Sequence, residues 1–304
     1  MAQLIKLENY ISRYQRDIFH YPGQYIRLKQ ANWQSVLNAW ELQKQPLELE
    51  DPLESDQDQS ILSKWKSYFN KRESIDEAYD EPQEVLPQTE EQLKHYFLDS
   101  LYSFQLNWAS STINEMSFLD RLYQDDLTLK YFMQRFPDTF LFMYNPIFKL
   151  KKATVDLDII LIKPTEINLI KLVERPSTQS IIVGDERTWF TEENNVQTKF
   201  MSPMVSLQRS DKIIKSILTQ QGLEMPIKKL VLSRTNPIGY ISEPYQTHYI
   251  GRDLHEDWLQ AQRNELSPLK HHQLKVAETL LNFTDTVSVY RPEWDRDESD
   301  DFTT

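Results

Sequence analysis

The sequence predicts an α/β (α+β) fold in which one mixed sheet is flanked by helices and preceded by an N-terminal helical extension. Three observations predict it. Aromatic and aliphatic residues recur at helical spacing from Leu93 to Trp108. Beyond Phe136-Pro137-Asp138 the pattern changes to short strand-like runs divided by turn residues. After those runs the helical period returns between Met204 and Gln220 and again after Leu254.

Near the N-terminus, Pro22-Gly23 punctuates the chain, and Ile26, Trp33, Val36, Leu37 and Trp40 predict a helix over about 31–43. The acidic, proline-containing stretch 46–60 reads as a loop. A short helix is expected over 61–72, with Trp65, Tyr68 and Phe69 on one side and Lys64, Lys66, Lys71 and Arg72 elsewhere. Such a basic aromatic helix suits an anionic membrane surface. Its apolar face is too short for more than marginal membrane affinity, so docking on its own domain is the expectation. Residues 73–92 are acidic, carry Pro82 and Pro87, and read as a linker. The expected domains are 1–90, the helical extension with its acidic linker; 91–290, the main domain; and 291–304, a disordered acidic tail.

In the main domain, Leu93, Tyr96, Phe97, Leu101, Phe104 and Trp108 form a helical stripe that Ile113, Met116, Leu119 and Tyr123 continue. The stripe reads as core. Strands are expected at 139–144, 155–162, 167–173 and 180–183, the last with a hairpin partner near 188–191. The helix Met204–Gln220 ends at Gly222, a residue suited to a left-handed cap. A strand at 228–233, a turn at Asn236-Pro237-Ile238-Gly239, and helices at 254–264 and 268–281 complete the order.

Composition narrows the function classes. With no cysteine, disulfide frameworks and thiolate zinc sites are excluded, and a reducing compartment is expected. The N-terminus lacks the apolar core of a signal peptide, and no window approaches the roughly 20 apolar residues of a membrane span. A cytoplasmic address is therefore expected, with peripheral membrane contact left open. A net charge of −12 disfavours a general nucleic-acid coater, because such affinity comes from phosphate neutralisation. The run Lys149-Leu150-Lys151-Lys152 still leaves a local contact open. Five glycines without a Gly-rich phosphate loop give nucleotide-cradling folds no support. His255-Glu256-Asp257-Trp258 lacks the second histidine that a zinc helix needs, and His271-His272 point to different sides of a helix.

Candidate chemistry lies in the strand region. Asn114-Glu115, Val155-Asp156-Leu157-Asp158 leading into Ile159-Ile160-Leu161-Ile162, and Ile167 through Glu174 resemble the nuclease-related domain. So do Gly184-Asp185-Glu186 with Trp189, and Ser202-Pro203-Met204-Val205-Ser206-Leu207-Gln208, across roughly 106–258. The resemblance implies a PD-(D/E)xK-type fold, and so a restriction-endonuclease-like mixed sheet. It implies a metal-dependent phosphodiester hydrolase in which carboxylates hold Mg²⁺ and a lysine two residues past the strand Glu steadies developing charge.

Residue by residue, Glu115 matches the helix acid and Asp158 the strand Asp, but Lys171 stands where the family has its Glu and Val173 where it has its Lys. An ammonium repels Mg²⁺, and valine donates no hydrogen bond. Glu174 sits on the opposite strand face from Lys171, whereas Asp156 shares a face with Asp158 and is the better substitute acid. Lys171 and Asp158 are expected to pair across neighbouring strands; Gln208 on its helix is placed to bridge the site, against the ordinary reading of an exposed helix Gln as merely solvated.

The expectation is therefore a vestigial site, no cofactor, and a cytoplasmic binding or scaffolding factor. Its partner would be a protein, in one form part of membrane or cell-envelope machinery. Trp33, Trp40, Trp65 and Phe69 would supply adhesive surface. The alternatives are an Mg²⁺-dependent nuclease with rearranged carboxylates, its metal on Asp156, Asp158 and Glu115, or an inactive nucleic-acid binder using the old cleft.

Overall fold

A computed structural model of the chain describes residues 1–44, 87–151 and 153–290. The loop expected at 46–60, the helix at 61–72 with its Trp65 and Phe69, most of the acidic linker, and the tail 291–304 lie outside the described residues.

The order of elements follows from where apolar runs and breakers fall. Strand β1 (Gln3–Leu7) precedes helices α1 (Tyr21–Lys44) and α2 (Glu90–Trp108), the short strand β2 (Glu115–Met116) and helix α3 (Leu127–Arg135). Then come β3 (Leu141–Tyr144), β4 (Ile147–Leu150), β5 (Ala153–Asp156), β6 (Ile159–Ile162), β7 (Ile167–Leu172), β8 (Ser180–Ile182), β9 (Thr188–Glu193) and β10 (Val196–Met201). Helix α4 (Met204–Gln220), β11 (Ile227–Leu232), β12 (Ile238–Gly239), β13 (Thr247–Ile250), α5 (Arg252–Arg263), α6 (His271–Asn282) and β14 (Val289–Tyr290) complete the chain.

The central sheet has six strands in the order β1-β3-β6-β7-β11-β13. It is mixed: β3, β6 and β7 pair antiparallel, while β1 runs parallel to β3 and β11 runs parallel to both β7 and β13. All of Ile159–Ile162 is buried, as are Ile167–Ile170 at the start of β7, which is why these strands read as continuous apolar runs and not as alternation. The expected mixed sheet flanked by helices is thus the fold. Helix α4 covers β7 and β11 with Met204, Leu207, Ile214, Ile217 and Leu218, and Gly222 ends its turn at φ +66°. Phe132 stacks on Phe136 and Phe142 at 5.7 and 5.5 Å, so α3 is anchored to β3 by ring packing.

A second sheet, β10-β9-β8-β12, is built on the β9–β10 hairpin. Asn194 and Asn195 turn it at φ +50° and +63°, the signature of a tight two-residue turn. Trp189 is 1% exposed and packs edge-on against Tyr249 at 5.2 Å, so it anchors this sheet in the core.

Several sequence expectations need correction. Helix α2 stops at Trp108 and does not continue through Met116. The hydroxyls of Ser110 and Ser111 bond back to Leu106 O at 2.8 Å and Asn107 O at 2.7 Å, local bonds that compete with helix propagation. Glu115 therefore lies on β2, paired with β14, and not on a helix. Pro22-Gly23 falls in the first turn of α1, where a missing N–H is harmless, so the helix begins ten residues before the expected position 31. The run 155–162 is two strands: β5 belongs to a hairpin with β4, and β6 to the central sheet. Leu157 N donates to Pro146 O at 3.0 Å at the break.

Strand β1 was not expected at all. Its five residues are all buried, including Gln3 and Lys6. Gln3 Nε2 donates to Asp138 O at 2.6 Å, and Lys6 Nζ donates to Tyr10 O, Thr286 Oγ1 and Gln15 Oε1 at 2.7, 2.9 and 3.3 Å. Polar residues satisfied inside a core erase the apolar pattern that marks a strand. The chain divides into two compact units, Arg27–Phe104 and a second made of Met1–Ile26 with the chain from Gln105 onward as far as it is described. Residues 1–26 are thus part of the sheet-bearing unit and not of a separate extension. In the smaller unit Trp33 packs on Phe97 at 5.2 Å, and Trp40 Nε1 donates to Pro87 O at 2.7 Å. Among the described residues, no helix is long and apolar enough to cross a membrane.

Candidate functional site

The carboxyl ends of the parallel strands β1, β3, β7 and β11 fall along one edge of the central sheet, where ligand crevices form in open α/β sheets. Six elements deliver polar side chains there. Glu8 follows β1, Asn145 follows β3, Asp156 ends β5, Asp158 directly precedes β6, and Lys171 is the penultimate residue of β7. Arg209 reaches in from α4. Together with Ile147 and Leu157 these six line a cleft of about 380 Å³.

The antiparallel register sets the central pair. Ile159 faces Ile170, so the next rung places Asp158 opposite Lys171, and Lys171 Nζ donates to Asp158 Oδ1 at 2.8 Å. The expected ion pair forms. Its two ends differ: the Asp158 side chain is 4% exposed and that of Lys171 is 44% exposed. Ser210, fully buried on α4, donates to the other carboxylate oxygen at 3.1 Å. Asp158 is therefore a fixed anchor, and the ammonium it holds faces the cleft.

Around this pair, Arg209 Nη2 donates to the backbone oxygen of Asp156 at 3.0 Å. The Asp156 carboxylate itself is exposed and has no hydrogen-bond partner among the described residues. Tyr123 donates its hydroxyl to Glu8 Oε1. Glu8 and Asn145 both have positive φ, +42° and +45°, in a region that a glutamate rarely enters. Two strained backbones on one cleft are a feature that packing alone does not require, and such strain gathers at functional sites.

A second cavity of about 400 Å³ adjoins the first through Lys171 and Arg209. It is lined further by Val173, Glu174, Arg175, Phe200, Met201 and Val205. Arg234 binds Glu174 through Nε at 2.6 Å and Nη2 at 2.8 Å, and this guanidinium holds the Glu174 carboxyl below its ordinary pKa despite partial burial. On the far side of Arg234, the Tyr131 ring lies 4.9 Å beneath the guanidinium, and its hydroxyl is 2.7 Å from His255 Nε2. Burial lowers the His255 pKa, favouring the neutral ring.

The structure thus brings together Asp156, Asp158 and Lys171. Asp156 and Asp158 are not two positions on one strand face, since β5 ends at Asp156 and β6 begins at Ile159 in a different sheet, yet both line the cleft. Val173 is 8% exposed and lines the adjoining cavity. Gln208 faces a third cavity, with Arg187 and Lys212, and is not in contact with Asp158. Glu115 pairs with Arg16 Nη2 at 2.5 Å and does not line the cleft. Sequence reasoning missed Glu8 because β1 was invisible, and missed Arg209 because one cation on an amphipathic helix carries no signal until the helix is placed.

The donor set does not fit the Mg²⁺ that the family resemblance implies. Both oxygens of Asp158 are engaged by Lys171 and Ser210, the third acid of the expected trio is elsewhere, and an ammonium stands inside the site. Among the described residues, no group of three His, Cys, Asp or Glu is placed to hold a metal ion.

No protein-family model matches the chain, and no solved structure matches it. Among curated proteins, it is similar to one from Geobacillus stearothermophilus named RNA 2',3'-cyclic phosphodiesterase. The two are 32% identical over 114 residues, which cover 34% of this chain and 36% of the relative. The match therefore spans about a third of the relative's length. This likeness overturns the expectation of a non-catalytic binding or scaffolding factor. That expectation rested on Lys171 and Val173 being incompatible with Mg²⁺ chemistry, and the relative points to catalysis of phosphodiester cleavage.

Proposed function

We propose that the chain is a phosphodiesterase that opens a 2',3'-cyclic phosphate on RNA, and that the cleft around Lys171 is where it does so. The observation that carries the reading is one cleft holding two cations and an unpartnered carboxylate, Lys171, Arg209 and Asp156. The likeness to a cyclic phosphodiesterase supports it. On this reading Asp158 and Lys171 are the nuclease-related positions, with the acid replaced by an ammonium that binds phosphate directly.

The chemistry suits these groups. A five-membered cyclic phosphate is strained, so its hydrolysis asks less of a catalyst than cleavage of an open diester. Water adds to phosphorus and one ring P–O bond breaks, while charge grows on the non-bridging oxygens. Lys171, aimed by Asp158, and Arg209 meet that charge, and donors fixed before the reaction need no reorganisation during it. Asp156 takes a proton from the attacking water and releases it to solvent, and the departing ribose oxygen takes one proton from solvent, so protons balance and the carboxylate returns to its initial state. The products are a ribose hydroxyl and a phosphate monoester.

The test is hydrolysis of a cyclic-phosphate-terminated RNA by wild type, Lys171→Met and Asp156→Asn, each in EDTA and in Mg²⁺. The expected result is turnover in both buffers, reduced about 100-fold or more by Lys171→Met, the scale on which a lost charge-stabilising donor acts. Turnover abolished by EDTA and restored by Mg²⁺ would instead favour a rearranged-carboxylate nuclease on Asp156 and Asp158.

A further inference from the structure

The cleft does not end at Lys171 and Arg209. The second cavity shares Val205 and Arg209 with a third, of about 420 Å³, lined further by Glu186, Arg187, Gln208 and Lys212. Arg209 lines all three, so they form a run along the face of α4. The character changes along the run. The first cavity holds three carboxylates and two cations. The second has an apolar wall of Phe200, Met201 and Val205, with the Arg175 guanidinium 4.8 Å over the Phe200 ring. The third sets Arg187 and Lys212, both exposed, beside a single acid, Glu186.

Among the described residues, none of Arg175, Arg187, Arg209 and Lys212 forms an ion pair with a carboxylate. In a chain of net charge −12, these four cations lie along one groove without a carboxylate bound to them, which leaves them available to phosphate oxygens, while Asp158 and Glu174 of the same groove are already held by Lys171 and Arg234. Exposed Met201 and Val205 next to a guanidinium-capped phenyl ring offer a face to a planar base.

Resting on the phosphodiesterase reading, we infer that the substrate is the 3' end of a single RNA strand and not a cyclic mononucleotide. The terminal cyclic phosphate lies at Lys171, the base of the preceding nucleotide lies on the wall formed by Phe200, Met201 and Val205, and the next phosphate lies between Arg187 and Lys212. Single strands present unstacked bases and phosphates in this alternation, whereas a duplex buries its base faces.

Two readouts on the full chain separate this inference from the reading beneath it. The first is the ratio of kcat/KM for a trinucleotide ending in 2',3'-cyclic phosphate to that for uridine 2',3'-cyclic phosphate. The ratio is expected to exceed tenfold in wild type and to fall toward one in the Arg187→Ala/Lys212→Ala variant. The second is fluorescence-anisotropy binding of a trinucleotide ending in a 3'-phosphate, which needs no turnover. The variant is expected to weaken it at least tenfold and to lower the salt slope by about 0.7, the value for one single-strand phosphate contact. Both substituted side chains are exposed, so folding is preserved, and a thermal melt checks it. Equal wild-type kcat/KM for the two substrates, or binding that the variant leaves unchanged, overturns the strand-end inference. Salt-sensitive binding lost in the variant, without turnover of either substrate by wild type, overturns the phosphodiesterase reading and leaves the RNA groove standing.

Discussion

The Lys171–Asp158 pair makes a quantitative prediction through a double-mutant cycle of Asp158→Ala and Lys171→Met. An exposed ion pair contributes about 0–1 kcal/mol, and breaking a buried one costs about 3–5 kcal/mol. Here the carboxylate is 4% exposed and the ammonium 44% exposed, so water screens one end only. A coupling energy of about 1–2 kcal/mol follows. Asp158→Ala also strands the buried Ser210 hydroxyl, adding about 1 kcal/mol, so it should destabilise the fold more than Lys171→Met does. Urea unfolding of the four proteins at low and high salt measures both quantities. A coupling below about 0.5 kcal/mol, or equal losses from the two single variants, would refute the picture of a dry anchor holding a wet cation.

Two further predictions concern pH. Burial pushes the Lys6 ammonium from 10.5 down to about 7, so the unfolded chain holds this proton across an interval in which the folded chain does not. Stability should therefore rise with pH from about 7 toward 10.5, by up to about 5 kcal/mol relative to Lys6→Met, and a flat difference between the two would show that Lys6 is not dry. Glu174 behaves oppositely. Its carboxyl lies below the unfolded value of 4.5 because Arg234 binds it, so its contribution is present above that value and is lost as pH falls through the folded pKa. Glu174→Gln should lose about 2 kcal/mol at neutral pH, with the gap to wild type closing in acid. A gap that persists at pH 3 would mean the loss comes from packing.

The central strands and α4 were legible because β6 and β7 are buried on both faces and α4 carries its apolar residues at helical spacing; the register that follows let Asp158 and Lys171 be paired in advance. What stayed hidden has local physical causes. Gln3 and Lys6 interrupt the apolar run of β1, and only tertiary acceptors make them tolerable there. Ser110 and Ser111 end α2 inside an unbroken hydrophobic period, and this moved Glu115 out of the site. No glycine or proline marks Asp156-Leu157-Asp158, so the change of partner strand there leaves no mark in the residue pattern. The largest error was functional. Lys171 is an unfavourable neighbour for Mg²⁺, but on the proposed reading the ammonium anchored by buried Asp158 meets phosphate instead, and charge sign alone does not separate a dead site from a different one.

The most direct measurement is ³¹P NMR of an RNA trinucleotide ending in a 2',3'-cyclic phosphate, incubated with purified wild type and Lys171→Met, following replacement of the ring resonance by that of a monoester. The account predicts complete conversion by wild type and a rate at least 100-fold lower for the variant. A ring resonance that persists unchanged with folded wild type, or that disappears equally fast with Lys171→Met, would contradict it.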